Sequence, residues 1–278
     1  IVKDFRPDIA IGVGGYASGP LLFAAAISGI PTIIQEQNSY PGVTNKILAK
    51  RAKKIFVAYP NMSLFFPENK IVYSGNPVRS IIQKNLPSKE ESCKFFGLDP
   101  NKPVVLSFGG SLGALTLNES IENGLQQFSD NDIQVIWQTG SYYYKKIQEK
   151  WANKTPKGIQ IHEFLKEMNF AYGAADIIIS RAGASSISEL CIVGKSTILV
   201  PSPNVAEDHQ TKNAMALVNN QAAISVKDVD ARNILCDTVF KTLENPQQMN
   251  ELSTNIKKMA KPESINTIIQ SIQQLLSQ

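Results

Sequence analysis

The chain has 278 residues, of which 43% are hydrophobic and 19% charged, as expected for one large or two ordinary globular domains with a substantial core. Its net charge of +4 is too small to argue for nucleic acid, and no apolar run approaches the roughly 20 residues that span a bilayer. Cys93, Cys191 and Cys236 are far apart without a CxxC spacing, and only two histidines occur, so neither a disulfide framework nor a Cys/His zinc site is expected and a reducing cytosol fits.

The chain opens at Ile1 and runs at once into a strand and a glycine loop, so its natural N-terminus is expected to be missing. No signal-peptide pattern, solenoid repeat or low-complexity tract is evident. Strands are predicted at Ile9–Gly12, Thr32–Gln35, Ile55–Ala58, Ile71–Tyr73, Val104–Phe108, Gln134–Gln138, Ile159–His162, Ile177–Ser180, Thr197–Val200 and Ala223–Val226. Helical periodicity lies between them, as in Leu117–Phe128 and Ala184–Val193, and beyond Asp228 it continues through Ala231–Leu243, Pro246–Met259 and Glu263–Leu275, with Pro262 expected to start the last helix. Continuous apolarity marks strands covered on both faces, so the fold class is α/β with parallel sheets.

After Arg79 the chain turns polar through Lys84, Asn85, Pro87, Lys89, Glu90 and Glu91 before a fresh strand begins near Pro103. Residues 1–79 are therefore expected to be the latter part of one nucleotide-binding-type domain, and 80–261 a complete second one.

Three turns after strands are rich in glycine and hydroxyl residues. The first holds Gly14, Gly15 and Ser18, with Ser18 expected to cap the helix that Pro20 helps to start. The second is Gly109-Gly110-Ser111-Leu112-Gly113, and the third runs from Ser180 through Arg181 and Gly183 to Ser186. Glycine lets a ligand approach the backbone, and free amides at a helix N-terminus attract phosphate. The same pattern also serves a plain tight turn. No turn matches a P-loop or a dinucleotide fingerprint. Glu189, one to two turns into the third helix, suits two ribose hydroxyls or simply faces water. Asp208-His209-Gln210 opens another helix, with His209 and Gln210 placed to bond sugar hydroxyls or to follow Asp208 as an N-cap.

Taken in order, GVGGYASGP, QEQNSYPGVTNK, GNPVR, GGSLGALTLN, SRAGASSISE and EDHQTKNA resemble the MurG glycosyltransferases of peptidoglycan synthesis over essentially the whole chain. The resemblance implies a GT-B fold, two Rossmann-like domains facing a cleft, with the C-terminal helix 262–278 packed back on the first. It implies an inverting transfer of GlcNAc from UDP-GlcNAc to the MurNAc 4-hydroxyl of undecaprenyl-pyrophosphoryl-MurNAc-pentapeptide (lipid I), giving lipid II. Carried over, Ser111 meets the UDP phosphates and Leu165 presents backbone to the uracil. Ala184, Ser185, Ser186, Ile187, Ser188 and Glu189 hold phosphate and ribose, with Glu189 on the ribose, while Gln210, helped by His209, binds GlcNAc. Asn38 and Arg79 match donor-site positions on the N-domain side, and Arg181 matches an arginine that offsets pyrophosphate charge.

The family's GTGGH loop, with a candidate catalytic histidine, is not in this sequence, so the fragment is expected to be inactive; one inserted residue precedes EDHQ. Among the residues present Glu36 is the candidate base, and organising the loop Asn38–Asn45 is its alternative role. No cofactor or metal is expected: Asp130-Asn131-Asp132 and Asp228-Val229-Asp230 read as solvated loop or helix-start sequence away from the glycine loops. The run Lys46, Lys50, Arg51, Lys53 and Lys54, with Ile47 and Leu48, is either a solubilised helix face or a patch for anionic inner-leaflet lipid, and the resemblance favours the patch. Phe23 in the preceding helix either adds an apolar contact to this patch or, the favoured reading, belongs to the core. Peripheral attachment at the cytoplasmic face of the bacterial inner membrane follows, with other cell-wall synthesis proteins as partners and no nucleic acid. The rival expectations are a related enzyme on another nucleotide-sugar, a UDP-GlcNAc 2-epimerase, and a non-catalytic scaffold of cell-wall enzymes.

Overall fold

The computed structural model describes residues 1–83 and 86–277, so Lys84 and Asn85 of the polar stretch lie outside the described residues. The chain forms two compact units, Ile1–Val78 with the C-terminal stretch from Lys261, and Arg79–Ala260. Arg79 thus belongs to the second unit, not to the first as its motif suggested. All ten predicted strands are present, and no end moves by more than one residue.

The first unit holds a parallel sheet in the order β1 (Ala10–Gly12), β2 (Thr32–Glu36), β3 (Lys54–Val57) and β4 (Ile71–Tyr73). Every residue of β2 is buried, the polar Thr32, Gln35 and Glu36 as well as Ile33 and Ile34, as in a strand covered on both faces. Leu22 from the helix Ser18–Ile27 and Leu48 from the helix Val43–Leu48 pack with Ile34, Ile55 and Val57 into its core. Ser18 does not cap: the helix begins at Ser18 itself after Ala17, and the hydroxyl donates to the Gly15 carbonyl at 2.9 Å, whereas a cap must accept. The last helix, Ser264–Leu276, starts two residues after Pro262, with Glu263 at its N-cap. Its first residue donates from Oγ to the Gly75 carbonyl at 3.0 Å, and the Lys261 ammonium lies 3.9 Å from the Tyr73 ring centroid.

In the second unit six parallel strands run β10 (Ile224–Ser225), β9 (Ser196–Leu199), β8 (Ile177–Ser180), β5 (Val104–Phe108), β6 (Gln134–Gln138) and β7 (Ile159–His162). Renumbered from β5, this is the doubly wound order 3-2-1-4-5-6, which reverses direction between β5 and β8. Leu117, Ile121, Leu125 and Phe128 recur every three or four residues along the helix Leu115–Asp130 and bury against Val135 and Trp137. Trp137 is fully buried, and its indole N–H donates to Asn118 Oδ1 at 2.9 Å. The stretch expected to be a polar link instead starts a helix, Lys89–Phe96. Ser88 Oγ accepts from the Glu91 amide at 3.2 Å while the Glu91 carboxylate accepts from the Ser88 amide at 2.9 Å, a reciprocal cap.

Candidate functional site

Where strand order reverses, the carboxyl ends of two neighbouring strands diverge and leave a crevice. In the second unit this point lies between β5 and β8, and a cavity of about 680 Å³ opens there, lined by Gly109, Gly110, Ala114, Gly183, Ser186 and Gln210 among others. The second and third glycine turns therefore meet at one place; the first, at the end of β1, belongs to the other unit. The helices Leu115–Asp130 and Ala184–Val193 both begin at this cavity. Ala114 and Gly183 are their N-caps, neither helix start is capped by a side chain, and neither first turn carries an acid. Their leading amides are thus available to an anion. Gly113 has φ +86°, and a side chain there would run into the Thr139 carbonyl, so the turn depends on glycine.

Arg181 lines the cavity, but its charge is balanced locally. Its guanidinium is ion-paired with Asp228 and donates to the Val200 carbonyl at 3.0 Å. Asp228 also accepts from Thr116 Oγ1 at 2.9 Å, which ties together three elements around the cavity. It is the first residue of the helix Asp228–Leu243, as expected of a helix start, but it stands beside the second and third glycine turns rather than away from them. Arg232, one turn further and unforeseen in the sequence, lines the same cavity and pairs with Glu119 at 2.6 Å. Among the described residues no group of three or more His, Cys, Asp or Glu is placed to hold a metal ion.

Gln210 joins the turns after β8 and β9. Its Oε1 accepts from the Ala182 amide at 3.2 Å and the Ser202 amide at 2.8 Å, which fixes the amide's orientation at the cavity wall. Asp208 is the N-cap of the helix His209–Val218 but makes no side-chain cap bond, because its backbone is left-handed at φ 52°. His209 Nδ1 is buried without a hydrogen-bond partner.

Glu189 neither faces open water nor lines the cavity. Arg79 grips both its oxygens, Nε to Oε1 at 2.8 Å and Nη2 to Oε2 at 2.9 Å, and the Tyr172 hydroxyl donates to Oε2 at 3.1 Å. Two motif residues assigned separately to the donor are therefore partners of each other. Of the other residues in that helix, Ile187 is buried and the Ser188 hydroxyl donates back to the Ala184 carbonyl at 2.9 Å, so neither side chain is presented to a ligand. Ser185 is exposed and Ser186 reaches the cavity. The Ser111 side chain is exposed, while its carbonyl accepts from the Ser141 amide at 3.0 Å; the Leu165 side chain is buried, leaving only backbone for a base.

In the first unit Glu36 is 2% exposed and saturated with donors. Oε1 accepts from the Asn38 amide at 3.0 Å, and Oε2 from the Gly42 amide at 3.1 Å and Asn45 Nδ2 at 2.8 Å. These bonds fit the alternative role of Glu36, organising the loop, since both carboxylate oxygens are engaged within it. Asn38 serves the same network, its Nδ2 also reaching Glu36 at 3.3 Å. Asn76 of the GNPVR motif joins in, accepting from Gln35 Nε2 at 3.0 Å and donating to the Gln37 carbonyl at 3.1 Å.

Lys50, Arg51 and Lys53 are exposed, and Ile47 is 59% exposed among them, whereas Leu48 belongs to the core. Phe23 is not a core residue: it is 41% exposed, with the Arg51 guanidinium 4.8 Å from its ring centroid. No helix among the described residues is long and apolar enough to cross a membrane.

Two α/β units with all-parallel sheets, one with two uncapped helix starts at its switch-point cavity, have the architecture of the GT-B class. Glycosyltransferase family 28 matches twice, its C-terminal domain over residues 104–268 and its N-terminal domain over residues 1–57. The chain belongs to this family, and within it to the MurG enzymes. It is 52% identical over 275 residues to the UDP-N-acetylglucosamine--N-acetylmuramyl-(pentapeptide) pyrophosphoryl-undecaprenol N-acetylglucosamine transferase of Parabacteroides distasonis, covering 99% of this chain and 75% of that protein. The crystal structure of MurG from Acinetobacter baumannii is similar with a TM-score of 0.79 and 32% identity, over 98% of this chain and 75% of that one. A UDP-GlcNAc 2-epimerase from Neisseria meningitidis, bound to UDP-GlcNAc, has a TM-score of 0.67 at 13% identity over 98% of this chain and 78% of that one, a likeness of fold alone.

Proposed function

We propose that the chain transfers GlcNAc from UDP-GlcNAc to the MurNAc 4-hydroxyl of lipid I, with inversion, forming lipid II. The observation that carries this reading is the pair of uncapped helix starts, at Ala114 and Gly183, opening on a single switch-point cavity in a member of this family. Their amides and the Ser111 turn take the pyrophosphate and stabilise the departing UDP. Glu189 reads the ribose, Leu165 offers backbone to the uracil, and the Gln210 amide, beside His209, donates to the sugar hydroxyls. Asn38 acts by holding the Glu36 loop in shape. Arg181 acts as a local counter-ion of Asp228 and supplies less charge to the pyrophosphate than its motif suggests.

The acceptor is a lipid, so the enzyme works at a bilayer surface. The exposed Lys50, Arg51 and Lys53, with Ile47 and Phe23, suit anionic headgroups at the cytoplasmic face of the inner membrane, where other cell-wall synthesis proteins are candidate partners. Turnover of UDP-GlcNAc with a lipid I analogue by the intact protein tests the reading. Lipid II is the expected product; UDP-ManNAc would identify an epimerase instead, and absence of UDP binding would leave a scaffold.

A further inference from the structure

The Glu189 carboxylate has a second, interior partner. Tyr172 lies in the helix Met168–Ala174 with its ring fully buried, edge-on to Phe108 at a centroid distance of 6.1 Å, directly before the Gly109–Gly113 turn. Its hydroxyl donates to Glu189 Oε2 at 3.1 Å. Burial first, and the Glu189 charge second, push the phenol well above its ordinary value, so it remains a donor throughout the physiological range.

A carboxylate has about four lone-pair sites, and Arg79 and Tyr172 together occupy three. A ribose diol needs two, so one resident donor must give way. Tyr172 is packed on every side and cannot swing out. The Arg79 side chain is 48% exposed and can.

We propose that Tyr172 is a positioning residue for donor recognition: its hydroxyl holds the Glu189 carboxylate in the orientation that reads the ribose diol, while Arg79 yields to the nucleoside. This rests on the reading of Glu189 as the ribose contact.

The test is calorimetric titration of UDP and of 2′,3′-dideoxy-UDP into the full chain and its variants, with thermal unfolding recorded for each. The unaltered chain should prefer UDP by about tenfold or more, and Glu189→Ala should abolish that preference. Tyr172→Phe should lower the preference about three- to tenfold while leaving the dideoxy affinity in place. A merely structural tyrosine would weaken both ligands alike and keep their ratio, which overturns the proposal. If Glu189→Ala retains the ratio, the ribose reading itself has failed and the Tyr172 role falls with it. Should Tyr172→Phe not fold, Arg79→Ala leaves the Tyr172 hydroxyl to orient the carboxylate; a ratio kept or raised supports the proposal, and its loss, which would make Arg79 the orienting group, overturns it.

Discussion

Asn45 Nδ2 and Glu36 Oε2 meet at 2.8 Å, and both residues are 2% exposed. The sequence QEQNSYPGVTNK is thus a strand end and a helix start stitched together by one carboxylate. Glu36→Ala would remove the acceptor of the Asn38 and Gly42 amides and one of two acceptors of Asn45 Nδ2, which keeps the Gln35 carbonyl at 3.2 Å. Expected is a loss of about 3 kcal/mol or more in denaturant unfolding, since each buried donor left unpaired costs about 1–3 kcal/mol. An unchanged midpoint with activity abolished would return Glu36 to the role of base.

Gly113 is held at φ +86° against the Thr139 carbonyl, and Gly140, at φ +82°, approaches the Gly113 backbone in turn. Gly113→Ala should cost about 2–4 kcal/mol from backbone strain and overpacking together. Because the turn shapes the cavity, UDP binding should weaken beyond detection even where the variant is folded. Calorimetry on protein shown folded by circular dichroism separates the two effects.

Charge reversal at Lys50, Arg51 and Lys53 should reduce binding to vesicles containing anionic phospholipid, by about 1 kcal/mol for each charge removed. Binding to purely zwitterionic vesicles should not change. Equal binding to both vesicle types by the reversed variant and the parent would show the run to be a solubilised helix face.

All three thiols are raised by burial, Cys191 to about 12 and Cys236 to about 11. The thiolate is the reactive form, so thiol reagents at pH 8 should label the native chain slowly and the unfolded chain fast. The sign for stability follows from proton linkage. Above pH 9 the unfolded thiols release protons that the folded ones keep, so stability falls as pH rises from 9 toward 11 and 12. Below about pH 8, where the unfolded thiols also keep their protons, these groups contribute almost no slope. Rapid native labelling of Cys191 at pH 8 would contradict this.

The strands were legible because a sheet covered on both faces needs predominantly apolar runs such as Val104–Phe108 and Ile177–Ser180. The second and third glycine turns were legible for the same reason, since each follows such a run directly. Their convergence was not, because it depends on strand order, which local pattern does not encode. Arg79 and Glu189 were each marked as donor residues, but their ion pair joins positions 110 residues apart and only packing reveals it. Asp228 reads as a solvated helix start away from the glycine turns because its contacts with Arg181 and Thr116 are equally long-range. By contrast, the helix at Lys89 carried a readable signal, Ser88 followed three residues later by Glu91, which a view of that stretch as a link passed over.

The first unit is discontinuous, since the helix Ser264–Leu276 completes it through Ser264 and Lys261 while the second unit is contiguous from Arg79 to Ala260. During synthesis a ribosome adding about 5–20 residues per second needs on the order of 10–40 s to make the intervening segment. For that interval the earlier-made sheet lacks its closing helix and depends on whatever shelters it. Truncation near residue 262 would leave the contiguous second unit whole and damage the unit translated before it.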